Sequence, residues 1–319
     1  MTRHRATVVA AALVAAVLLA LQANVFAGLL PRAVDVAASP PEAASSRFER
    51  YHYSVAARIR PLLVFWVSRS GVGDAVVTRQ RAPGETRYSL LIGSDPERAP
   101  RRINRWGYIE EKIRGEEAQL VGLMTQSEED SLEQAEGNVR RQATGNHPFK
   151  VIQATVNGEQ ASSLVTSIAA PEDYTIHQLQ TVLDLALREP SERKPRVIRL
   201  PPGTRPGFLA ALSDAIHVPA TSPINFVYHG GLYELRQTRA RTIPNLRIAH
   251  ASYGRATATD FVITSIQDGE QSRFSMTYGT EAPYVEVPLI VTYQPRWWMQ
   301  VELTLDAGAD PALSDRVER

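Results

Sequence analysis

Four arginines followed by two aromatic residues form the stretch of this chain best suited to binding an anion. The residues are Arg98, Arg101, Arg102, Arg105, Trp106 and Tyr108. Planar guanidinium groups form paired hydrogen bonds with phosphate or carboxylate, and an aromatic ring can lie against a sugar or a lipid headgroup. The stretch therefore predicts a site for a lipid or an anionic polymer of the cell envelope. The alternative is a loop whose arginines pair with the nearby acids Asp95, Glu97, Glu110 and Glu111. We favour this alternative because these acids are close in the sequence.

A histidine beside two glycines is the best candidate for acid–base chemistry. His229 precedes Gly230 and Gly231, and Glu234 follows shortly after them. If the glycines form a hairpin turn, the imidazole lies at its rim, where it could act as a general base while backbone amides hold an oxyanion. No nucleophile lies at motif spacing, and Gly-Gly hairpin tips are common, so a structural turn is the favoured interpretation.

Composition excludes several classes of site. The chain has no cysteine, which excludes disulfides, thiolate nucleophiles, thiolate zinc sites and iron–sulfur clusters. Its histidines never fall at the short spacings of local metal sites, and Ser127–Arg141 lacks the ligand spacing of a calcium loop. The formal net charge of +1 provides no general attraction for nucleic acid. We therefore predict no cofactor, no metal and no nucleic-acid partner, and a solvated loop or short surface helix over 127–141.

Two adjacent tryptophans begin the clearest alternating pattern in the chain. Apolar residues alternate with polar ones from Trp297 to Leu305, which predicts a strand with one buried face. Trp297 and Trp298 then point to opposite faces. At most one of them is therefore core, and the other is exposed or covers a groove. Packing is favoured over ligand stacking, for which Trp298 is the candidate.

The first residues have the pattern of an export signal. Arg3 and Arg5 precede an uncharged run over 6–31, and Val25-Phe26-Ala27 is an acceptable cleavage motif. Residues 1–27 are predicted to be a signal peptide cleaved after Ala27, or an uncleaved anchor, because a bilayer core needs about 20 apolar residues. Under both interpretations the remainder crosses the membrane. We expect an exported protein, periplasmic or held on the outer face of the inner membrane.

Turn-forming residues recur along the rest of the chain at the short intervals that are typical of antiparallel strands. Asn157-Gly158 predicts a tight hairpin because both residue types accept positive φ, and Asp268-Gly269 predicts another. Further turns are predicted at Gly71-Val72-Gly73, at Pro83-Gly84 and at Gln294-Pro295-Arg296.

Two stretches have helical periodicity. Residues 171–188 are amphipathic, and Thr175 and Gln178 have the spacing of a capping box. A shorter helix is predicted over 206–217, where Pro206 suits the first turn. Several hairpins with only two helices predict an α+β, β-dominant fold with an antiparallel sheet.

The domain organisation follows from these elements. The predicted parts are the leader at 1–27, a disordered linker at 28–46, a single β-rich domain at 47–306 with a helical insertion at 171–217, and a disordered tail at 307–319.

Three short segments resemble those of uncharacterised exported bacterial proteins. They are Val72-Gly73-Asp74-Ala75, the stretch from Arg102 to Tyr108, and the stretch from Tyr293 to Trp298. The resemblance runs over much of residues 48–306 and implies export; the family has no assigned activity. The start of the chain's β region also resembles periplasmic proteins of unknown function built as curved, open sheets. We therefore expect a curved sheet or an open barrel.

Three functions fit the sequence. The first is a non-enzymatic envelope protein whose curved sheet, covered by the 171–188 helix, binds an apolar or amphiphilic ligand. The second is an assembly or scaffolding part of the envelope, favoured if the leader stays attached as a membrane anchor. The third is a hydrolase with a site assembled from distant residues around His229 and Glu234.

Overall fold

Strands make up most of the protein. The computed structural model describes residues 47–59, 67–99, 102–125, 146–171, 173–189, 194–217, 222–296 and 299–306. The strands are β1 (Arg47–Ile59), β2 (Val67–Ala82), β3 (Glu85–Ser94), β4 (Trp106–Arg114), β5 (Glu117–Thr125), β6 (Asn146–Asn157), β7 (Gln160–Pro171), β8 (Arg196–Arg199), β9 (Ile224–Tyr228), β10 (Gly231–Ile243), β11 (Arg247–Ile248), β12 (Ala251–Ser252), β13 (Ala256–Ser265), β14 (Gln271–Gly279), β15 (Pro288–Arg296) and β16 (Met299–Leu305). The α-helices are α1 (Leu179–Arg188) and α2 (Phe208–Ala215).

One antiparallel sheet contains fourteen of these strands. Its order is β8-β7-β6-β5-β4-β3-β2-β1-β16-β15-β14-β13-β10-β9, and β11 and β12 form a separate pair. Within the part of the chain that the structure describes, the edge strands β8 and β9 do not pair with each other, so the sheet is open. The predicted β-dominant, antiparallel fold class is confirmed.

The register assigns every strand of the main sheet one face that points inward. Cross-strand partners share a face, and successive residues alternate between faces. The buried side chains of the inner face include Tyr51, Tyr53, Val55, Leu90, Ile92, Ile109, Tyr233, Leu235, Phe261, Ile263, Phe274, Met276, Val301, Leu303 and Leu305. These residues form one continuous apolar core.

Helix α2 lies against this inner face and shows that the sheet is curved. Glu111 on β4 bonds to the start of α2, and Phe208 of α2 contacts Phe274 on β14 with ring centroids 6.2 Å apart. Five strands separate β4 from β14 in the sheet order. In a flat sheet these two strands would be nearly 30 Å apart, since neighbouring strands are about 4.8 Å apart. Contact of one helix with both strands therefore requires the sheet to wrap around α2.

The two ends of the sheet overlap. Residues Val227 and Leu232, on the outward face of the β9–β10 hairpin, pack against inner-face residues of β5 to β7. The tip of the hairpin lies closest: a Cβ atom on Gly122 of β5 would be 2.7 Å from the Nε2 atom of His229. A Cβ on Gly230 would likewise overlap the Oγ atom of Ser163 on β7. The sheet is thus rolled like a scroll, and we call this overlap at Gly122, Ser163, His229 and Gly230 the seam.

The hairpin predicted at Asn157-Gly158 is present, one position further along. Asn157 pairs with Gln160, so Gly158 and Glu159 are the turn residues, and Gly158 has φ of 51°. The turn at Pro83-Gly84 is also present, between the paired residues Ala82 and Glu85.

Three predicted turns were wrong in position or kind. Gly71-Val72-Gly73 is a bulge inside β2, where three residues oppose Ala56 of β1 and Gly71 takes the positive φ of 65°. The hairpin predicted at Asp268-Gly269 does join β13 to β14, but its loop is wider than a tight turn and is closed by a hydrogen bond from the Ser265 N–H to the Glu270 carbonyl. Strand β15 continues through Arg296, which pairs with Met299, so Gln294-Pro295-Arg296 is not a turn.

The two helices lie on opposite faces of the sheet. A single 3-10 turn, Ile176–Gln178, precedes α1, and the predicted capping box of Thr175 and Gln178 is present. A Cβ on Gly93 would meet Ile176, so this segment lies on the outer face of β3. The expectation that the 171–188 helix covers the concave surface was therefore wrong: α2 is the helix inside the roll. Within the described ranges, neither helix is long and apolar enough to cross a bilayer.

Candidate functional site

The arginine stretch does not present a row of free guanidinium groups. The Arg98 guanidinium donates to Asp95, with Nε and Oδ2 2.5 Å apart, and also pairs with Asp74. These contacts hold the pKa of Asp95 below its usual value. Arg105 contacts the Asn104 carbonyl oxygen at 3.4 Å, and Arg102 is exposed with φ of 56°. Arg98 thus follows the alternative in which the arginines pair with local acids.

The two aromatic residues of that stretch are buried. Trp106 is 3% exposed and its indole N–H donates to the carbonyl oxygen of Tyr174, 3.0 Å away. Its ring packs on Phe149 with centroids 5.0 Å apart. Tyr108 is fully buried, and its hydroxyl donates to Glu110. Neither ring offers a face to a ligand in this conformation. Arg101 and Trp298, the other candidates from the sequence, lie outside the described residues.

His229 lies in the turn of the β9–β10 hairpin and not at its rim. Tyr228 pairs with Gly231, so His229 and Gly230 are the turn residues, with φ of 45° and 71°. Positive φ at both positions is the geometry of a type I′ turn, whose twist matches that of the strands. The imidazole stacks on the Tyr228 ring with centroids 3.8 Å apart and is enclosed by the seam.

His229 and Glu234 do not share a site. Tyr233 and Leu235 point into the core, so Glu234 lies on the opposite face of β10, where it pairs with Arg236 at 2.8 Å. Glu234 is also the fourth residue after the turn, about 13 Å along the strand. The two residues therefore do not form the acid–base pair that the hydrolase hypothesis requires.

A buried carboxylate that the sequence reasoning missed lies at the centre of the molecule. Glu111 on β4 is 1% exposed, and its two oxygens accept hydrogen bonds from the backbone N–H groups of Leu209 and Ala210, at 2.7 and 2.9 Å. Burial raises the pKa of Glu111 to about 7, although these bonds and the N–H of Phe208 act in the opposite direction. The signal was available: Ile109, Glu111 and Ile113 place a charge within an apolar series of period two.

Glu111, Tyr228 and His229 line a small cavity between the inner face and the hairpin. Its apolar wall includes Ile109 and Leu120, and its free space is enough for about one water molecule. Within the described structure, neither ring nitrogen of His229 nor the hydroxyl of Tyr228 has a hydrogen-bond partner. Burial lowers the pKa of His229 to about 3, with a contribution from Lys150, so the imidazole is neutral at pH 7.

The described residues contain no group of three or more histidine, aspartate or glutamate side chains arranged to hold a metal ion. The polar centre of the roll is therefore a carboxylate that binds backbone amides, beside a neutral imidazole and a buried phenol. The carboxylate holds the start of α2 in place, and the centre offers hydrogen-bonding groups to a ligand that enters.

Comparison with known proteins adds a structural likeness and no function. No protein-family model matches the chain, and no curated protein matches it. Among solved structures, it is similar to a β-barrel-like protein of a domain of unknown function, DUF1849, from Brucella abortus. The TM-score is 0.34 with 9% sequence identity, covering 82% of this chain and 98% of that one. At this level the likeness carries no argument about either site or function.

Proposed function

We propose that this protein is exported to the cell envelope and binds the apolar part of an amphiphilic ligand on the inner face of its rolled sheet, without catalysing a reaction. The observation that carries the proposal is the inner face itself. Apolar side chains line it from β1 to β10, and within the described residues the sheet wraps around a single short helix, α2.

The chemistry of the inner face suits an acyl chain. Aliphatic and aromatic side chains such as Leu235, Phe261 and Leu303 provide apolar area, and burial of each methylene group of a ligand is favourable by about 0.8 kcal/mol. Glu111, Tyr228 and His229 bring three polar groups together at one place inside the roll. Ligand sites commonly combine an apolar wall with a small number of polar groups that fix one end of the ligand.

The N-terminal pattern supports export. The basic residues Arg3 and Arg5 and the uncharged run that follows have the composition of a leader, and they lie outside the described residues. Fractionation of cells, followed by N-terminal sequencing of the product, tests this part. The proposal expects the chain in the periplasmic or membrane fraction, with Gly28 as first residue if the leader is cleaved. An intact chain in the cytosol would refute it.

Ligand binding is tested by incubating the purified chain with a lipid extract of the envelope and identifying retained molecules by mass spectrometry. A matched control replaces two exposed apolar residues, Val197 and Ile266, which are 60% and 50% exposed. If the ligand binds inside the roll, the V197S/I266S variant retains the same molecules as the unaltered chain. Retention of nothing by either chain contradicts the proposal, and loss of retention in the variant alone shows adsorption to the surface.

A further inference from the structure

Helix α2 fills a space of the size that a ligand needs. Its eight residues make a cylinder about 12 Å long and about 10 Å across. This volume falls in the range of about 300–1,000 Å³ that is usual for ligand sites. The inner-face residues that would line the space already contact α2: the rings of Phe226, Tyr228 and Phe274 lie 5.5, 6.3 and 6.2 Å from that of Phe208.

The connectivity allows α2 to leave without breaking the sheet. The helix lies on the connection between β8 and β9, which are the two edge strands of the sheet. Withdrawal of α2 therefore separates no pair of neighbouring strands. Arg205, which precedes the helix, is hydrogen-bonded through its backbone to β9. Pro206 and Gly207 follow it, and the chain can bend there while these bonds stay intact.

Phe208 provides most of the fully buried apolar area of α2, because the other fully buried residues of the helix are Ala210, Ala211 and Ala215. Leu209 and Leu212 also pack against the core, partly buried. The polar contacts of the helix are those of Glu111 at its start, an ion pair between Asp214 and Arg205, and a contact of 3.4 Å between His217 and Glu286 just after its end. An isolated helix of this length has little stability of its own in water.

Glu111 decides which headgroup can replace the helix. Its two oxygens now accept two N–H donors, and a buried carboxylate left without donors is costly. A headgroup with hydroxyl or amine donors restores these bonds. An anionic headgroup such as a carboxylate would instead face a like charge at a pH above the pKa of Glu111.

We infer that α2 is a displaceable plug: a single-chain amphiphile with a hydrogen-bond-donating headgroup takes its place, the acyl chain in the helix's space and the headgroup on Glu111. The inference rests on the proposed function and names the location and the class of its ligand.

The test ties α2 to the sheet and measures binding of radiolabelled monopalmitoylglycerol by equilibrium dialysis. The double variant H217C/E286C places thiols at the contact just after the helix, and a short bis-maleimide joins them. Both positions are solvent-accessible, and the chain has no other cysteine to react. The control is the same variant treated with a monofunctional maleimide, so that the substitutions and thiol chemistry are matched.

The inference predicts that the control binds as the unaltered chain does and that the crosslinked form binds at least about tenfold more weakly. Equal binding by the crosslinked and control forms overturns the plug, while leaving the proposed function intact. If the unaltered chain binds neither monopalmitoylglycerol nor any molecule of the envelope extract, the proposed function itself fails, and the plug with it.

The headgroup assignment has its own comparison. At about pH 8 the unaltered chain should bind monopalmitoylglycerol at least about tenfold more tightly than palmitate, because the Glu111 carboxylate repels a second anion. In the variant E111Q this preference should shrink, since a neutral amide replaces the charge. If both chains prefer monopalmitoylglycerol over palmitate to the same degree, the headgroup does not bind at Glu111.

Discussion

The Glu111 carboxylate accepts a hydrogen bond from the backbone N–H of Leu209, 2.7 Å away, across 98 positions of the sequence. This contact joins the fourth strand to the helix inside the roll. It also buries an ionisable group, 1% exposed, so the stability of the protein depends on pH.

The first prediction concerns E111Q. The pKa of Glu111 is about 7 when folded and near 4.5 when unfolded, so its contribution to stability is fully present below about pH 4.5 and is lost as pH rises through 7. The contribution changes by about 3 kcal/mol in all. Urea unfolding at about pH 5 and pH 8 measures it. Between the lower and the higher pH, the unaltered chain should lose about 2–3 kcal/mol more of its unfolding free energy than E111Q does. An identical pH dependence in both chains would show that Glu111 is not buried.

The second prediction is that pH changes the stability contribution of His229 in the opposite direction. Its pKa of about 3 lies below the ordinary value of 6.5, so the neutral imidazole contributes stability above pH 6.5 that is lost as pH falls. Asparagine tolerates the positive φ of this position. H229N should therefore lose less stability than the unaltered chain between pH 7 and pH 5, by about 2 kcal/mol in the free energy of unfolding. If H229N and the unaltered chain respond alike to acid, the imidazole is accessible to water.

A third prediction tests the seam. A Cβ at position 122 would lie 2.7 Å from the His229 ring, so G122A should destabilise the protein by about 1–3 kcal/mol. H229N shortens the opposing side chain, and the double variant G122A/H229N should recover part of the loss. Thermal unfolding of the four chains forms a double-mutant cycle. Additive effects would mean that the hairpin tip does not contact β5.

The fourth prediction separates a buried ion pair from an exposed one. Arg79 and Glu49 are 2.7 Å apart with side chains 16% and 7% exposed, whereas those of Arg98 and Asp95 are 45% and 31% exposed. R79Q should cost about 2 kcal/mol of unfolding free energy, because it leaves the buried Glu49 carboxylate with the exposed Arg47, 2.7 Å away, in place of two ion-pair partners. R98Q, the matched control, should cost less than about 1 kcal/mol. Chemical denaturation measures both, and equal losses would contradict this account of the two sites.

Patterns within a single element could be predicted from the sequence. The alternation from Trp297 to Leu305 predicted a strand, and β16 occupies Met299–Leu305 of that range. Thr175 and Gln178 likewise predicted the cap before α1. Gly71 could not be interpreted in the same way, because a glycine with positive φ serves a bulge as well as a turn, and only the register with β1 distinguishes them.

The rolling of the sheet depends on contacts between distant residues, and local patterns do not contain these. Nothing near Gly122 in the sequence indicates that it must accommodate His229, and nothing near Gly207 indicates that Glu111 occupies the place of a side chain there. The charge of Glu111 within an apolar series is visible in the sequence, but its role depends on a contact with the start of α2, which is 98 positions away.

The most direct test of ligand binding inside the roll is photocrosslinking with a monoacylglycerol that carries a diazirine near the end of its acyl chain. Peptide mass spectrometry then locates the attachment sites. The account predicts attachment to inner-face residues such as Tyr53, Phe274 and Leu303, which are at most 5% exposed. Attachment confined to exposed residues such as Val197 and Ile266 would contradict it.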